Sequence, residues 1–310
     1  MNLTTIINVS LNPVGMACSI FVLTSILVML CINKKTANRM TVRLIAAIAL
    51  GDLMIHVGEY YSATHGGVER ASPLCIRVNA FRLFSRNFYC FTNIAICVHL
   101  YRSLVQLKKS TWRYEIFSWI FMLTLTIIFT MIYYFMGAFT GLSHPAGCNP
   151  GAATQIMDAI FSSIQAFVNL STIIACITTT VIGHRSLSKW INNYANSHNF
   201  DGKNKSQFIK ERRKMAERSF LYPLSTILTL PFETIFLILI ACGKFVPQLT
   251  IPMAVFSSIS GLLTGIAFAI DPAVHSALRE AYCNIRGEKN NCQISPNNAS
   301  ESSSTGPLTV

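Results

Sequence analysis

Residues 116–139, IFSWIFMLTLTIIFTMIYYFMGAF, decide the fold, because they run for 24 positions without one charged side chain. About 20 consecutive apolar residues form a helix that crosses the hydrocarbon core of a bilayer. Six more runs accompany this one, at 13–32, 42–61, about 83–107 with a polar outer end, about 153–182, 220–241 and 249–270, and the connections hold nearly all the remaining charge. The composition agrees: 52% of the 310 residues are hydrophobic and 12% charged, with a mean hydropathy of +0.45, whereas soluble chains carry about 25% charged residues. The same figures exclude disordered, collagen-like and small disulfide-stapled chains, and no series of short alternating segments points to a barrel. The expected fold is an all-α membrane bundle of seven helices.

Basic residues set the expected orientation, since short cytoplasmic loops retain Lys and Arg. With the odd-numbered connections inside, the cytoplasmic side holds four after the first span, four after the third, nine between 183 and 218 and three in the tail, 20 of the 25 in all. Arg70, Arg77, Arg82, Arg86 and Lys244 lie outside. The amino terminus is then extracellular, the carboxyl terminus cytoplasmic, and the first span an uncleaved anchor in the cell membrane. The net charge of +12 suits lipid of the inner leaflet; no aromatic reader separates the basic groups, so nucleic acid is not an expected partner.

One domain is expected over 13–286, preceded by an extracellular segment, 1–12, and followed by a disordered cytoplasmic tail rich in Asn and Ser, 287–310. Asn2 and Asn8 stand in glycosylation sequons on the outer side. Cys75, opening the third span, and Cys148, in the outer loop 140–152, both face an oxidising compartment. A bridge between them ties that loop across the mouth of the bundle; the other reading is two free thiols. Cys283, past the last span, is a palmitoylation candidate or a buried thiol. The long loop reads as flexible over 192–204 and as a basic helix over 206–219 that extends the sixth span, either a docking surface or a face held by anionic lipid.

Polar groups within spans carry function more often than those in loops, because each is costly in lipid and turns toward the bundle interior. Asp52 is central in the second span; Asp271 ends the seventh, where Pro272 removes a backbone donor. If the two carboxylates meet, they share a proton or a sodium ion; otherwise each is satisfied separately. Pro223 and Pro231 give the sixth span two places to bend. Arg82 and Arg86, four residues apart, share a helical face. They bind an anionic ligand, or are neutralised by Glu59 and Asp158, or reach to headgroups. His56, His99 and His275 do not cluster as a metal site needs, no nucleophile stands beside a base, and no catalysis or metal is expected.

Seven spans in this orientation, the outer cysteine pair, Asp52, Trp119, Arg102, Pro231 and Asp271-Pro272 before a short amphipathic segment, 276–283, together resemble a G-protein-coupled receptor over nearly the whole chain. His99-Leu100-Tyr101 and Leu221-Tyr222-Pro223-Leu224 look more like the fungal and amoebal cAMP-receptor-like group than like rhodopsin-like receptors. The resemblance implies a transducer that senses an extracellular ligand and activates a heterotrimeric G protein, with Tyr101, Arg102, Arg212, Arg213 and Lys214 on the coupling side. Departures from the rhodopsin-like pattern are the missing acid before Arg102, the missing Trp before Pro231, Asp271 in place of Asn, and His275 in place of Tyr. A retinal-binding pump is excluded because no Lys falls between Lys244 and Lys289. A seven-helix transporter for a small solute is the alternative, although the paired half-repeats of that class are not evident.

Overall fold

A computed structural model describes residues 3–32, 40–65, 68–106, 108, 110–142, 148–197 and 220–270. They form an all-helical bundle: α1 (Leu3–Ile32), α2 (Met40–Thr64), α3 (Pro73–Leu100), α4 (Trp112–Phe135), α5 (Gln155–Ser197), α6 (Leu221–Ala241), and a seventh span built from a 3-10 turn (Pro247–Leu249), α7 (Thr250–Ser258) and α8 (Ser260–Ile270). Six of the seven spans are long and apolar enough to cross a membrane, and the chain is a multi-pass membrane protein. The exception is α3, which the other helices surround: it packs on α2, α4, α5 and α6. Bulky apolar side chains elsewhere point outward, among them Trp112, Phe117 and Phe135 of α4 and Ile156 and Phe167 of α5, as expected where lipid replaces water.

Helix ends follow local chemistry. Ser72 caps α3 by accepting the Cys75 N–H (3.2 Å), with Pro73 directly after it, where a missing N–H costs nothing. The helix thus starts ten residues before the predicted third span. The fourth span ends at Phe135, four residues before the predicted boundary. There Gly137 (φ +72°) donates to Tyr134 O and Ala138 to Tyr133 O, both at 3.0 Å, which closes the last turn in the left-handed fashion that favours glycine. Gly243 and Lys244 close α6 in the same way. The predicted amino-terminal segment is, from Leu3 onward, the first part of α1, and α5 carries on to Ser197, so that part of the loop expected to be flexible is helical. A π-helical turn, Tyr101–Val105, completes α3. The basic helix expected over 206–219, with Arg212, Arg213 and Lys214, and Asp271, Pro272, Cys283 and the tail lie outside the described residues, as does Asn2.

Three apolar clusters hold the spans together, one of them, Leu83, Tyr133, Ala138, Phe139 and Phe161, where α3, α4 and α5 meet. Leu44, Ile48, Phe88, Tyr89, Met122 and Leu230 join α2, α3, α4 and α6, with Trp119 packed at the margin. Val22, Ile26, Ile45, Tyr222 and Phe268 join α1, α2, α6 and α8. Cys75 and Cys148 are disulfide-bonded, with Cα atoms 5.6 Å apart. The bridge fixes the α4–α5 loop to the start of α3, and that end of the bundle also carries a cavity, described below.

Where α1, α2 and α8 meet, backbones come too close for a Cβ. A methyl group on Gly261 would lie 2.6 Å from Gly15 O and 2.7 Å from His56 Nε2, whereas one on Gly51 would first meet the Phe88 ring at 3.4 Å. Gly261→Ala is therefore expected to destabilise the purified protein by about 1–3 kcal/mol. Gly51→Ala should change stability by less than about 1 kcal/mol, since helix propensity favours Ala. Thermal unfolding of both variants in detergent checks the pair; equal melting temperatures would contradict the close approach.

Candidate functional site

At the end of the bundle closed by the disulfide, α2, α3, α5, α6 and the seventh span surround a cavity of about 740 Å³, within the range of small-molecule sites. Its apolar wall includes Leu83, Phe161, Phe236, Leu237 and Met253, and its charged wall Glu59, Arg82, Arg86, Asp158 and Glu233. The two arginines are one turn apart on α3 and differ in their surroundings. Arg82 is held by both Glu59 oxygens, with Nη2 at 2.8 Å from Oε2 and Nε at 3.1 Å from Oε1, and Nη1 donates to Asn149 Oδ1 (3.2 Å). Because Asn149 follows the bridged Cys148, this pair also anchors the loop over the cavity. Arg86 reaches across to α6: Nη1 lies 3.1 Å from Glu233 Oε2, and Nη2 donates to Ser257 Oγ at 3.2 Å.

Of the three readings of Arg82 and Arg86, internal ion pairing holds for both in this structure, with one correction to the partners. Glu59 neutralises Arg82 as expected, but the carboxylate facing Arg86 is Glu233, while Asp158 accepts the Ala152 N–H at 3.0 Å. Glu233 is not among the site residues expected from the sequence; it is the only acid in the predicted span 220–241, and the cost of an ionisable group in lipid is the signal that could have marked it. Neither arginine reaches out to the surface: their side chains are 13% and 14% exposed.

Below the cavity a polar ladder links α3 to α5 and α6. Thr226 Oγ1 donates to Asn93 Oδ1 (2.7 Å), the Tyr89 hydroxyl lies 3.3 Å from Thr226 Oγ1, and the Cys90 thiol donates to Asn169 Oδ1 (3.4 Å). Pro231 lies between Thr226 and Glu233 on α6, where the ring removes one backbone bond; Pro223 sits in the first turn of that helix.

A second polar seam runs through α1, α2 and α8. Asn12 Nδ2 donates to Asn8 O (2.9 Å), which turns Asn12 Oδ1 toward His56 Nδ1 at 2.8 Å. His56 Nδ1 is then the donor and Nε2 the acceptor, and Nε2 takes the Gly261 N–H at 3.1 Å. Asn8, a sequon residue, is half-buried against this seam, its Oδ1 3.4 Å from Ser258 Oγ. Asp52 is fully buried in the same region and accepts from Thr264 Oγ1 at 2.7 Å. Its Oδ1 and the buried Ser19 Oγ have no hydrogen-bond partner among the described residues.

At the opposite end, Arg102 lies in the π-helical turn with its guanidinium 4.1 Å from the centre of the Tyr114 ring, a cation–π contact. Its Nε has no hydrogen-bond partner among the described residues. Tyr101 beside it is exposed, and His99 is 3.1 Å from Thr41 Oγ1. Among the described residues no three His, Cys, Asp or Glu gather as metal ligands would.

The Arg82–Glu59 pair makes a structural expectation. Arg82→Ala leaves a carboxylate without its partner and is expected to cost about 2–3 kcal/mol, below the ~3–5 kcal/mol of a fully buried pair, because Glu59 keeps 21% of its side-chain surface exposed. The double variant Arg82→Gln, Glu59→Gln should be more stable than the sum of the single losses. Thermal unfolding of the unaltered protein, Arg82→Gln, Glu59→Gln and the double variant measures this, and strict additivity would argue against a working pair.

No protein-family model matches the sequence, and no curated protein matches it. Among solved structures, the crystal structure of squid rhodopsin superposes on 98% of this chain and 93% of that one, with a TM-score of 0.65 at 14% sequence identity. The chain therefore has the seven-helix fold seen in that rhodopsin.

Proposed function

We propose that this protein is a G-protein-coupled receptor of the cell membrane, with its amino terminus and the cavity outside and its carboxyl terminus inside. One observation carries the reading: α6 forms a wall of the cavity through Glu233 and is bonded to α3 through Thr226, with Pro231 between the two contacts. A ligand that changes the upper contact alters the energy of α6 relative to α3, and it shifts the equilibrium only by as much as it prefers one arrangement. Heterotrimeric G protein docks at the other end, on Tyr101, Arg102 and the basic residues Arg212, Arg213 and Lys214. The motifs His99-Leu100-Tyr101 and Leu221-Tyr222-Pro223-Leu224 favour the cAMP-receptor-like group. A sodium ion near Asp52 is part of this reading, since the partnerless oxygen of that carboxylate is a hard donor of the kind such cations take; Asp271, the other carboxylate expected to take part, lies outside the described residues. Glycosylation falls on Asn2, since Asn8 faces into the bundle, and Cys283 carries the lipid anchor.

The reading is tested with the purified protein in nanodiscs and a panel of heterotrimeric G proteins. At least one should exchange guanine nucleotide faster in the presence of the receptor, and Arg102→Ala should reduce that rate while leaving the melting temperature nearly unchanged. No acceleration with any G protein, together with solute uptake by proteoliposomes, would establish the transporter instead. Neutralising Arg212, Arg213 and Lys214 is expected to weaken coupling at normal surface expression. Protease added to intact cells should spare 183–218; cleavage there without permeabilisation would reverse the orientation.

A further inference from the structure

On the receptor reading, which this inference presupposes, the ligand must satisfy what the cavity wall leaves open. Arg82 has nothing to offer, since Nε, Nη1 and Nη2 all donate to protein oxygens. The contact between Arg86 and Glu233 is different. Nη1 lies 3.1 Å from Glu233 Oε2 as an ion pair whose alignment falls short of a hydrogen bond, and the Asn169 amide, whose Nδ2 makes no other hydrogen bond among the described residues, is the one further donor group interacting with that carboxylate. A second acceptor is open. Gln165, 2% exposed and part of the cavity wall, donates Nε2 to Asn169 Oδ1 at 3.1 Å, and its Oε1 has no donor among the described residues. The Cys90 thiol also donates to Asn169 Oδ1, which keeps the Asn169 oxygen, and so the Gln165 amide nitrogen, at that contact. Arg86 is one turn from Cys90 in α3 and Gln165 one turn from Asn169 in α5. Because Cys90 meets Asn169, Gln165 stands at the level of Arg86.

The wall thus presents at one depth a guanidinium, a carboxylate held by it only loosely and one amide oxygen without a donor among the described residues, in a cavity also lined by Phe161, Phe236, Leu237 and Met253. A simple anion entering here would take Arg86 and strand the Glu233 carboxylate; a simple amine would take Glu233 and strand the guanidinium. Either leaves a buried charge uncompensated, which is strongly unfavourable. A molecule with both groups replaces both partners at once. We propose that the cavity binds a zwitterion whose amine and carboxylate lie a few ångströms apart on an apolar or aromatic body, as in an α-amino acid. Glu233 Oε2 and Gln165 Oε1 take its ammonium and Arg86 its carboxylate. Inserting such a ligand separates α3 from α6 without changing the net charge of the site.

Equilibrium dialysis of the full-length protein in nanodiscs tests this with L-phenylalanine and its two half-charged analogues, phenethylamine and 3-phenylpropionate, each at millimolar concentration. L-Phenylalanine should bind at least about 10-fold more tightly than either analogue, the size of difference a site gains by rejecting a ligand that leaves a charge unpaired. Glu233→Gln should abolish that preference and bring 3-phenylpropionate level with L-phenylalanine. Equal binding of all three compounds to the unaltered protein would overturn the proposal, as would no binding of L-phenylalanine, L-tryptophan or L-leucine. If Glu233→Gln does not fold, the comparison of compounds on the unaltered protein decides alone. Dialysis contains no G protein, so the two readings fail separately: amino-acid binding without nucleotide exchange removes the receptor, and exchange without amino-acid binding removes only the zwitterion site.

Discussion

A guanidinium inside a helical bundle has no bulk water to turn to, and this constraint on Arg82 and Arg86 shapes the half of the molecule that holds the cavity. Each needs a carboxylate within about 3 Å, and the bundle supplies one from α2 and one from α6. These pairs let the least apolar helix occupy the centre. The helix brings further polar groups with it, Asn79, Ser85, Asn87, Thr92 and Asn93, all buried, and neighbours meet several of their atoms: Asn79 Nδ2 donates to Phe139 O (3.0 Å), Thr92 Oγ1 to Met122 Sδ (3.0 Å) and Thr226 Oγ1 to Asn93 Oδ1 (2.7 Å), while Ser85 Oγ donates to Phe81 O of its own helix. Each such group would be expensive if orphaned in a medium of low dielectric, so the register between α3 and its neighbours is narrowly fixed.

The two ion pairs divide the labour. Arg82 with Glu59 is nearly saturated and holds the loop beyond Cys148 through Asn149, which makes it part of the scaffold together with the disulfide. Arg86 with Glu233 is looser and spans α3 and α6. Along the same α3–α6 boundary, Thr226 stands opposite Asn93 and Tyr89. Interfaces between packed helices switch between discrete arrangements and do not deform continuously, and polar contacts of this kind are either made or lost.

The far side of α2 follows the same logic with neutral groups. His56 is clamped between Asn12 and the Gly261 N–H, and the two glycines on either side of the ring, Gly15 and Gly261, bring α1 and α8 close enough for that clamp. In lipid, where apolar surfaces gain little by meeting, small residues and hydrogen bonds are what hold helices together. Asp52 lies in this seam beside Thr264.

Seven spans, their order and the cysteine pair were legible in the sequence because hydropathy over 20 residues depends on composition alone. So was the interest of Asp52, Arg82, Arg86 and Glu59, since a charge in an apolar run stands out wherever it points. Composition could not place the start of α3: Asn79, Arg82 and Arg86 lower the average, and besides the Ser72 cap it is their partners elsewhere in the bundle that make a helix of polar side chains tolerable there. Nor did it bring out Glu233, the acid that faces Arg86 in place of the expected Asp158, because pairing depends on distance in space. The sequence determined which groups must be satisfied within the membrane. The packing of the helices decided which group satisfies which, because an ion pair or hydrogen bond forms only between atoms about 3 Å apart, and sequence separation does not encode that distance.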